Sequence, residues 1–199
     1  MHHVKLVILG RDGILNVFRE DHVKSPEEWE PIPGALEAVA RLNHAGWHVV
    51  VATNQSGIGR GMIDMSSVNA VHAHMNRQLQ QAGGRLDAVF LCPHAPEDGC
   101  DCRKPKPGLL LDIGRRYGVD LSQVPVVGDT ARDLIAAAAA GCEPHLVRTG
   151  RAAALDAAAL VALHEPVAGA RVHAHLAAFV DHLLQRENLP DSAVGALQG

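Results

Sequence analysis

Four points along this chain carry polar side chains directly after, or just beyond, a strand-like apolar run. They are Asp12, Thr53 with Asn54, Arg103 with Lys104, and Asp129 with Asp133. Hydroxyl, amide and ammonium groups are the donors that hold a phosphoryl group. Carboxylates hold magnesium, which takes a few of them together with waters and phosphate oxygens. The set therefore describes a site for a phosphoryl group and a divalent cation. One Asp after a strand is ordinarily a turn former or cap, but complementary groups repeated at successive strand ends describe a site.

A second constellation is Cys92-x-His94-x5-Cys100-x-Cys102. Three thiolates and an imidazole suit tetrahedral Zn2+, and four protein ligands leave no position open for catalysis, so this site reads as structural. In a reducing compartment such clustering favours metal over a disulfide. A zinc-ribbon module for nucleic acid is the competing reading. It lacks the usual paired knuckles, and a formal net charge of -4 is not the basic surface that a phosphate backbone requires. Cys142 stands apart and reads as a small buried hydrophobe. Gly57, Gly59 and Gly61 suggest a nucleotide loop, but the Gly-Lys-Ser/Thr ending is missing and the preceding strand is the wrong one.

The elements that must position these groups alternate. Val4 to Leu9 is an apolar run that ends in Gly10-Arg11-Asp12-Gly13, as a buried parallel strand would. Val17 to Pro33 is a long polar loop. Helix follows over Ala35 to Ala45, strand over Trp47 to Ala52, a glycine-rich loop, and a helix from a Ser66 cap to about Gln81. Leu86 to Leu91 is a third strand that leads into the cysteine loop, and Pro107 opens a helix to Tyr117. A strand over Val124 to Val127, a helix to Ala140 and a strand over Pro144 to Val147 come next. Helices over Ala152 to Leu163 and Ala174 to Gln185 flank a short strand near Ala170 to Val172. This alternation predicts an α/β fold with a doubly wound parallel sheet, its polar turns gathered on one edge. Residues 1–187 read as a single domain with the zinc loop 92–102 inserted, and 188–199 as a frayed tail.

The motif series Asp-Gly, Thr, Lys and Gly-Asp-x-x-x-Asp resembles the haloacid dehalogenase superfamily of phosphohydrolases from about Val4 to Gly150. More narrowly, RDGILN, TNQSGIGRG, CPH, CDCRKPKPG and VGDTARD look like its heptose-bisphosphate phosphatase branch, nearest to the histidinol-phosphate phosphatases. The resemblance implies a Rossmann-like sheet without a large cap and an aspartyl-phosphate mechanism. Its nucleophilic Asp falls at the position of Gly10, which has no side chain to attack with or to ligate Mg2+. Asp12 matches the general acid and base, with its backbone carbonyl on Mg2+. Thr53 and Lys104 match the groups on the phosphoryl oxygens, Asp129 the carboxylate on Mg2+, and Asp133 a residue that orients Lys104 or metal-bound water. Arg11, Asn54, Gln55, Ser56, Arg60 and Arg103 are expected around the rest of the substrate, with Phe18 to Lys24 as a mobile segment over the site. Cys92, His94, Cys100 and Cys102 match the zinc loop.

The implied reaction removes the carbon-7 phosphate of a heptose 1,7-bisphosphate on the route to the heptose of bacterial lipopolysaccharide. Gly10 implies impaired turnover. Three explanations follow from it: a substitution in an ordinary phosphatase, an inactive sugar-phosphate-binding relative, or water acting as nucleophile in the vacated space. Histidinol phosphate is the alternative substrate. No apolar run reaches about 18 residues and the amino terminus has no signal-peptide pattern, so a cytoplasmic protein without membrane partners is expected. A monomer is expected because no apolar stripe is left over. His44, His48, His72 and His74 are expected in solvent, and His164, His173, His175 and His182 carry no evident chemistry.

Overall fold

The computed structural model describes residues 4–188. All but one residue of the expected frayed tail lies outside them. In chain order the elements are β1 (Leu6–Leu9), α1 (Ala35–His44), β2 (His48–Asn54), α2 (Ser56–Gly59), α3 (Met65–Gln81), β3 (Ala88–Cys92), α4 (Gly108–Tyr117), β4 (Pro125–Gly128), α5 (Ala131–Ala139), β5 (Glu143–Val147), α6 (Ala157–His164), β6 (Arg171–His173) and α7 (Leu176–Glu187). The strands form one parallel sheet in the order β3-β2-β1-β4-β5-β6.

β1 is central, and each of its four residues is buried. Successive side chains leave a strand on opposite faces, and the core divides accordingly. Val7 and Leu9 join Val49 and Val51 beneath α1, α3 and α7, while Leu6 and Ile8 join Val50 and Ala52 beneath α4 and α5. A strand apolar at every position can sit only where helices cover both faces, so the LVIL run could occupy nothing but an interior place in the sheet. No large cap is added, among the described residues, to this doubly wound α/β fold. Among the described residues, no helix is long and apolar enough to cross a membrane.

Local chemistry moved several boundaries. α3 is capped by Asp64, whose side chain accepts from the Ser67 backbone N at 2.7 Å, so Ser66 lies inside the first turn. A carboxylate serves there because it satisfies an orphan N–H and meets the positive end of the helix dipole. The glycine-rich stretch begins with a turn of helix, α2, because Arg60 N donates to Ser56 O. Gly59 is needed there for close approach. A Cβ would lie 2.7 Å from Ala95 N and 2.8 Å from Pro93 O in the cysteine loop. The helix expected from Ala152 divides into a 3-10 turn at Gly150–Ala154 and α6, which starts where the Asp156 side chain accepts from Ala159 N. α7 begins after His175, whose Nδ1 caps it by accepting from Ala178 N.

Candidate active site

In the strand order 3-2-1-4-5-6 the chain turns away on opposite sides of the junction between β1 and β4, and ligands bind in the crevice outside such a switch point. Gly10 stands at that junction and donates its N–H to Val127 O at 2.9 Å. Outside it opens a cleft of about 310 Å3, lined by Gly10, Arg11, Asp12, Thr53, Asn54, Ser56, Arg60, Arg103, Lys104, Asp129 and Asp133. The strand-end groups spread along the sequence therefore meet in one cavity.

Asp12 is surrounded by donors. Its Oδ1 accepts from Arg11 Nε and Nη2 at 3.1 and 2.9 Å and from Asn16 Nδ2 at 3.0 Å; its Oδ2 accepts from Gln55 Nε2 at 3.3 Å. Burial works to raise this carboxyl's pKa, but the Arg11 charge and the hydrogen bonds from Asn16, Arg11 and Gln55 outweigh it. The group is held below the usual carboxylate range.

Lys104 is buried and points back into the site. Its Nζ meets Asp133 Oδ1 at 2.6 Å and donates to Ala52 O at 3.0 Å, so one of the ammonium's three donors remains for the cleft. The other Asp133 oxygen accepts from Asp129 N, Thr130 N and Thr130 Oγ1, closing a capping box on α5. Burial opposes ionisation of Asp133, but Lys104 and Thr130 hold its pKa low. Asn54 fixes the Lys104 backbone from both sides, donating to its O and accepting from its N, each at 3.1 Å. Thr53 Oγ1 accepts from Gln55 Nε2 at 2.9 Å, which leaves its O–H free to donate.

Asp129 is different. It is 3% exposed, and its Oδ2 accepts from Arg151 N at 2.8 Å. Burial and the adjacent Asp133 push it up to about 6, with only partial relief from Arg151 and Lys104. Gly13 and Gly150 pack directly on this carboxylate, and a Cβ on either would run into it.

Gly10 needs no left-handed backbone. A Cβ there would lie 3.1 Å from Ile14 Cγ1 and 3.7 Å from Val127 O, so a side chain fits after a shift of a few tenths of an ångström in Ile14.

Beyond β3, the donor atoms of Cys92, His94, Cys100 and Cys102 all lie within 4.8 Å of one another. The three Sγ atoms are 3.1 to 3.6 Å apart, and His94 Nδ1 is 3.5 and 3.3 Å from Cys92 and Cys102. A tetrahedron of Zn–S bonds of about 2.3 Å needs sulfurs roughly 3.8 Å apart, so a small expansion would admit the ion. The three thiols compete for charge: against burial, Cys100 is held down at about 7 by hydrogen bonds from its neighbours, while burial and the Cys100 thiol raise Cys92, and burial with both other thiols pushes Cys102 up to about 12. The loop is tied to the cleft: Gln55 N donates to Cys92 O, and Arg103 Nη1 to His94 O.

Three expected substrate contacts have other partners, the first being Asn54 on the Lys104 backbone. Gln55, 1% exposed, does not line the cleft and spends its amide on Thr53 and Asp12. The Arg11 guanidinium is directed at Asp12 and at His72. His72 is accordingly half-buried against Arg11 rather than solvated. His173 and His182 gather with buried His145 at the far sheet edge, away from the cleft, and His145 and His173 pack on Phe179. Three lining arginines were expected, Arg11, Arg60 and Arg103. Arg132 and Arg151 line the cleft as well, and Arg151 sits over the Phe18 ring at 3.7 Å. Both had a sequence signal. Arg132 lies inside VGDTARD, and Arg151 follows β5 in the polar run Arg148-Thr149-Gly150, one more strand-end turn.

Comparison with known proteins agrees with this geometry. The HAD-hydrolase-like family model matches residues 101–179. A D-glycero-beta-D-manno-heptose-1,7-bisphosphate 7-phosphatase of Bordetella bronchiseptica is 54% identical over 182 residues, covering 92% of this chain and 99% of the relative. Its counterpart in Pseudomonas aeruginosa is 53% identical over 146 residues, covering 73% of this chain and 82% of the relative. Among solved structures, the B. bronchiseptica D,D-heptose 1,7-bisphosphate phosphatase complexed with magnesium and phosphate superposes with a TM-score of 0.86 at 53% identity, covering 92% of this chain and 99% of that one. The Burkholderia thailandensis enzyme gives 0.70 at 47% identity, with 90% and 98% covered.

Proposed function

Because this chain belongs to the heptose-1,7-bisphosphate 7-phosphatase family of HAD-like hydrolases, we propose that its cleft binds D-glycero-D-manno-heptose 1,7-bisphosphate and is built to release the carbon-7 phosphate. The observation that carries this reading is the convergence, in one cavity, of a phosphoryl-binding pair, Thr53 and Lys104, with Asp12, Asp129 and a ring of arginines: Arg60, Arg103, Arg132 and Arg151. That is more positive charge than one phosphate needs, as suits a bisphosphate. The reading also takes the protein to be a cytoplasmic monomer acting on a small soluble substrate.

Asp129 and the Asp12 backbone carbonyl would hold Mg2+. A buried carboxylate pushed up to about 6 by burial and a like-charged neighbour lacks a cation, so the donor set fits one. When bound, Mg2+ supplies neutralisation of the phosphoryl charge. The free Thr53 O–H and the third Lys104 N–H hold phosphoryl oxygens, and Asp133 keeps Lys104 aimed at them. Asp12 passes a proton to the leaving sugar oxygen and recovers one from the attacking water. Its carboxyl is ionised in the free protein, and arrival of a polyanionic substrate raises its proton affinity.

Gly10 removes the nucleophile while leaving its surroundings complete, so the chain as it stands binds substrate and turns it over poorly. Restoring the carboxylate tests this directly. Gly10→Asp should release phosphate from the heptose bisphosphate at least about 1,000-fold faster, since enzymes stripped of a nucleophile lose factors of that order or more. No gain would sink the damaged-phosphatase reading and favour a sugar-phosphate-binding protein. Comparable release from histidinol phosphate would move the substrate assignment.

The cysteine loop would hold a structural Zn2+, fixing Arg103 and Lys104 through the contacts above. Chelation should lower the melting temperature and expose backbone amides around Lys104 to hydrogen exchange. An unchanged melting curve after verified metal removal would contradict it.

A further inference from the structure

Support for Asp12 extends to a helix that lies behind the cleft. Arg11 is 1% exposed, and its guanidinium has two partners. Nε and Nη2 donate to Asp12 Oδ1, while Nη1 lies 3.1 Å from Nε2 of His72 on α3. A guanidinium can only donate, so His72 Nε2 must accept. An imidazole that accepts at Nε2 is neutral and carries its proton on Nδ1. Burial first, and the Arg11 charge second, hold His72 down at about 4, in keeping with that form.

We propose that His72 is a positioning residue for this reaction: by accepting from Arg11 Nη1 as a neutral, Nδ1-protonated ring, it locks the guanidinium onto Asp12 Oδ1 and leaves Oδ2 as the oxygen that exchanges the proton. The inference rests on the phosphatase reading of Asp12. Its geometry is specific, because Oδ1 faces three N–H donors, two from Arg11 and one from Asn16. A proton on Oδ1 would point into N–H groups with nowhere to go. Oδ2 has one long contact, to Gln55 Nε2 at 3.3 Å. The planar guanidinium makes the lock rigid: fixing one edge fixes the others. Without an acceptor at position 72, a buried N–H would be orphaned and the fork free to tilt.

The test has two readouts. On the chain as it stands, 15N spectra of histidine-labelled protein at neutral pH should show His72 neutral with the proton on Nδ1, the form less favoured in free histidine. A proton on Nε2, or an imidazolium, would overturn the contact. In Gly10→Asp, His72→Leu should lower kcat about 10- to 100-fold with KM within about twofold, whereas His72→Gln, whose amide oxygen can accept from Arg11, should stay within about threefold in kcat. Equal loss in both variants would reduce His72 to packing and overturn the proposal. If Gly10→Asp turns over no substrate, the phosphatase reading fails, and the catalytic half of this inference with it; the spectra still decide the contact independently.

Discussion

Asp12 and Asp129 follow adjacent parallel strands at the same crevice, and their surroundings push them in opposite directions. Asp12 has its counter-charge built into the chain one residue away, in Arg11, with Asn16 and Gln55 adding donors, and its carboxyl is held low. Asp129 is buried with one backbone N–H on its Oδ2 and faces a second carboxylate whose charge is already claimed by Lys104, and it is pushed up to about 6. Identical side chains on equivalent turns thus acquire different chemistry from whoever supplies the positive charge. Under the proposed function, Asp12 would serve proton transfer and Asp129 a cation from outside.

The comparison can be broken by making the same substitution at both places. Asp129→Asn should weaken Mg2+ binding by more than about 100-fold, since disturbing even outer-shell partners of a metal site costs 10- to 100-fold. Asp12→Asn keeps its backbone carbonyl and should leave Mg2+ binding nearly intact. Calorimetric titration checks both, and equal losses would erase the distinction. A smaller effect sharpens it. A carboxyl raised from 3.8 to about 6 in the fold makes the metal-free protein bind more protons than its unfolded chain between those values, so this contribution to stability is present below about pH 4 and lost as pH rises through 6. Asp12, held low, contributes with the opposite sign: its stabilisation is present above the ordinary carboxylate range and lost as pH falls. Melting temperatures of the parent and Asp129→Asn, both without metal, should therefore converge toward acid and separate by a few degrees above pH 6, the parent being the less stable. The difference is at most about 3 kcal/mol.

Much of this site was legible in the sequence because strand ends in a parallel sheet are marked by abrupt changes from apolar to polar. The LVIL run could sit only at the sheet centre, and Thr53, Lys104, Asp129 and Asp133 had to come with it. The cysteine spacing likewise fixed a cluster that the fold brings together. What could not be read was the partner of a side chain rather than its location. Arg11 and Gln55 lie in the right turns but point at Asp12, because orientation depends on what α3 and β2 place behind them. His72 shares a helical face with buried Val68 and Met75, so its partial burial had a sequence signal, but its partner Arg11, distant in sequence, had none. Asp64 and Ser66 are both good caps, and only backbone geometry chose between them.

Position 10 bears the central claim, that a complete phosphatase site here lacks one carboxylate. Acid quench of single turnovers with phosphate-labelled heptose bisphosphate measures it most directly. Gly10→Asp should accumulate close to one equivalent of hydroxylamine-sensitive acyl phosphate, lost on mutating position 10 again, while the chain as it stands forms none and releases phosphate slowly. Turnover by the unaltered chain as fast as that of Gly10→Asp, or an acyl phosphate on any other residue, would contradict the account.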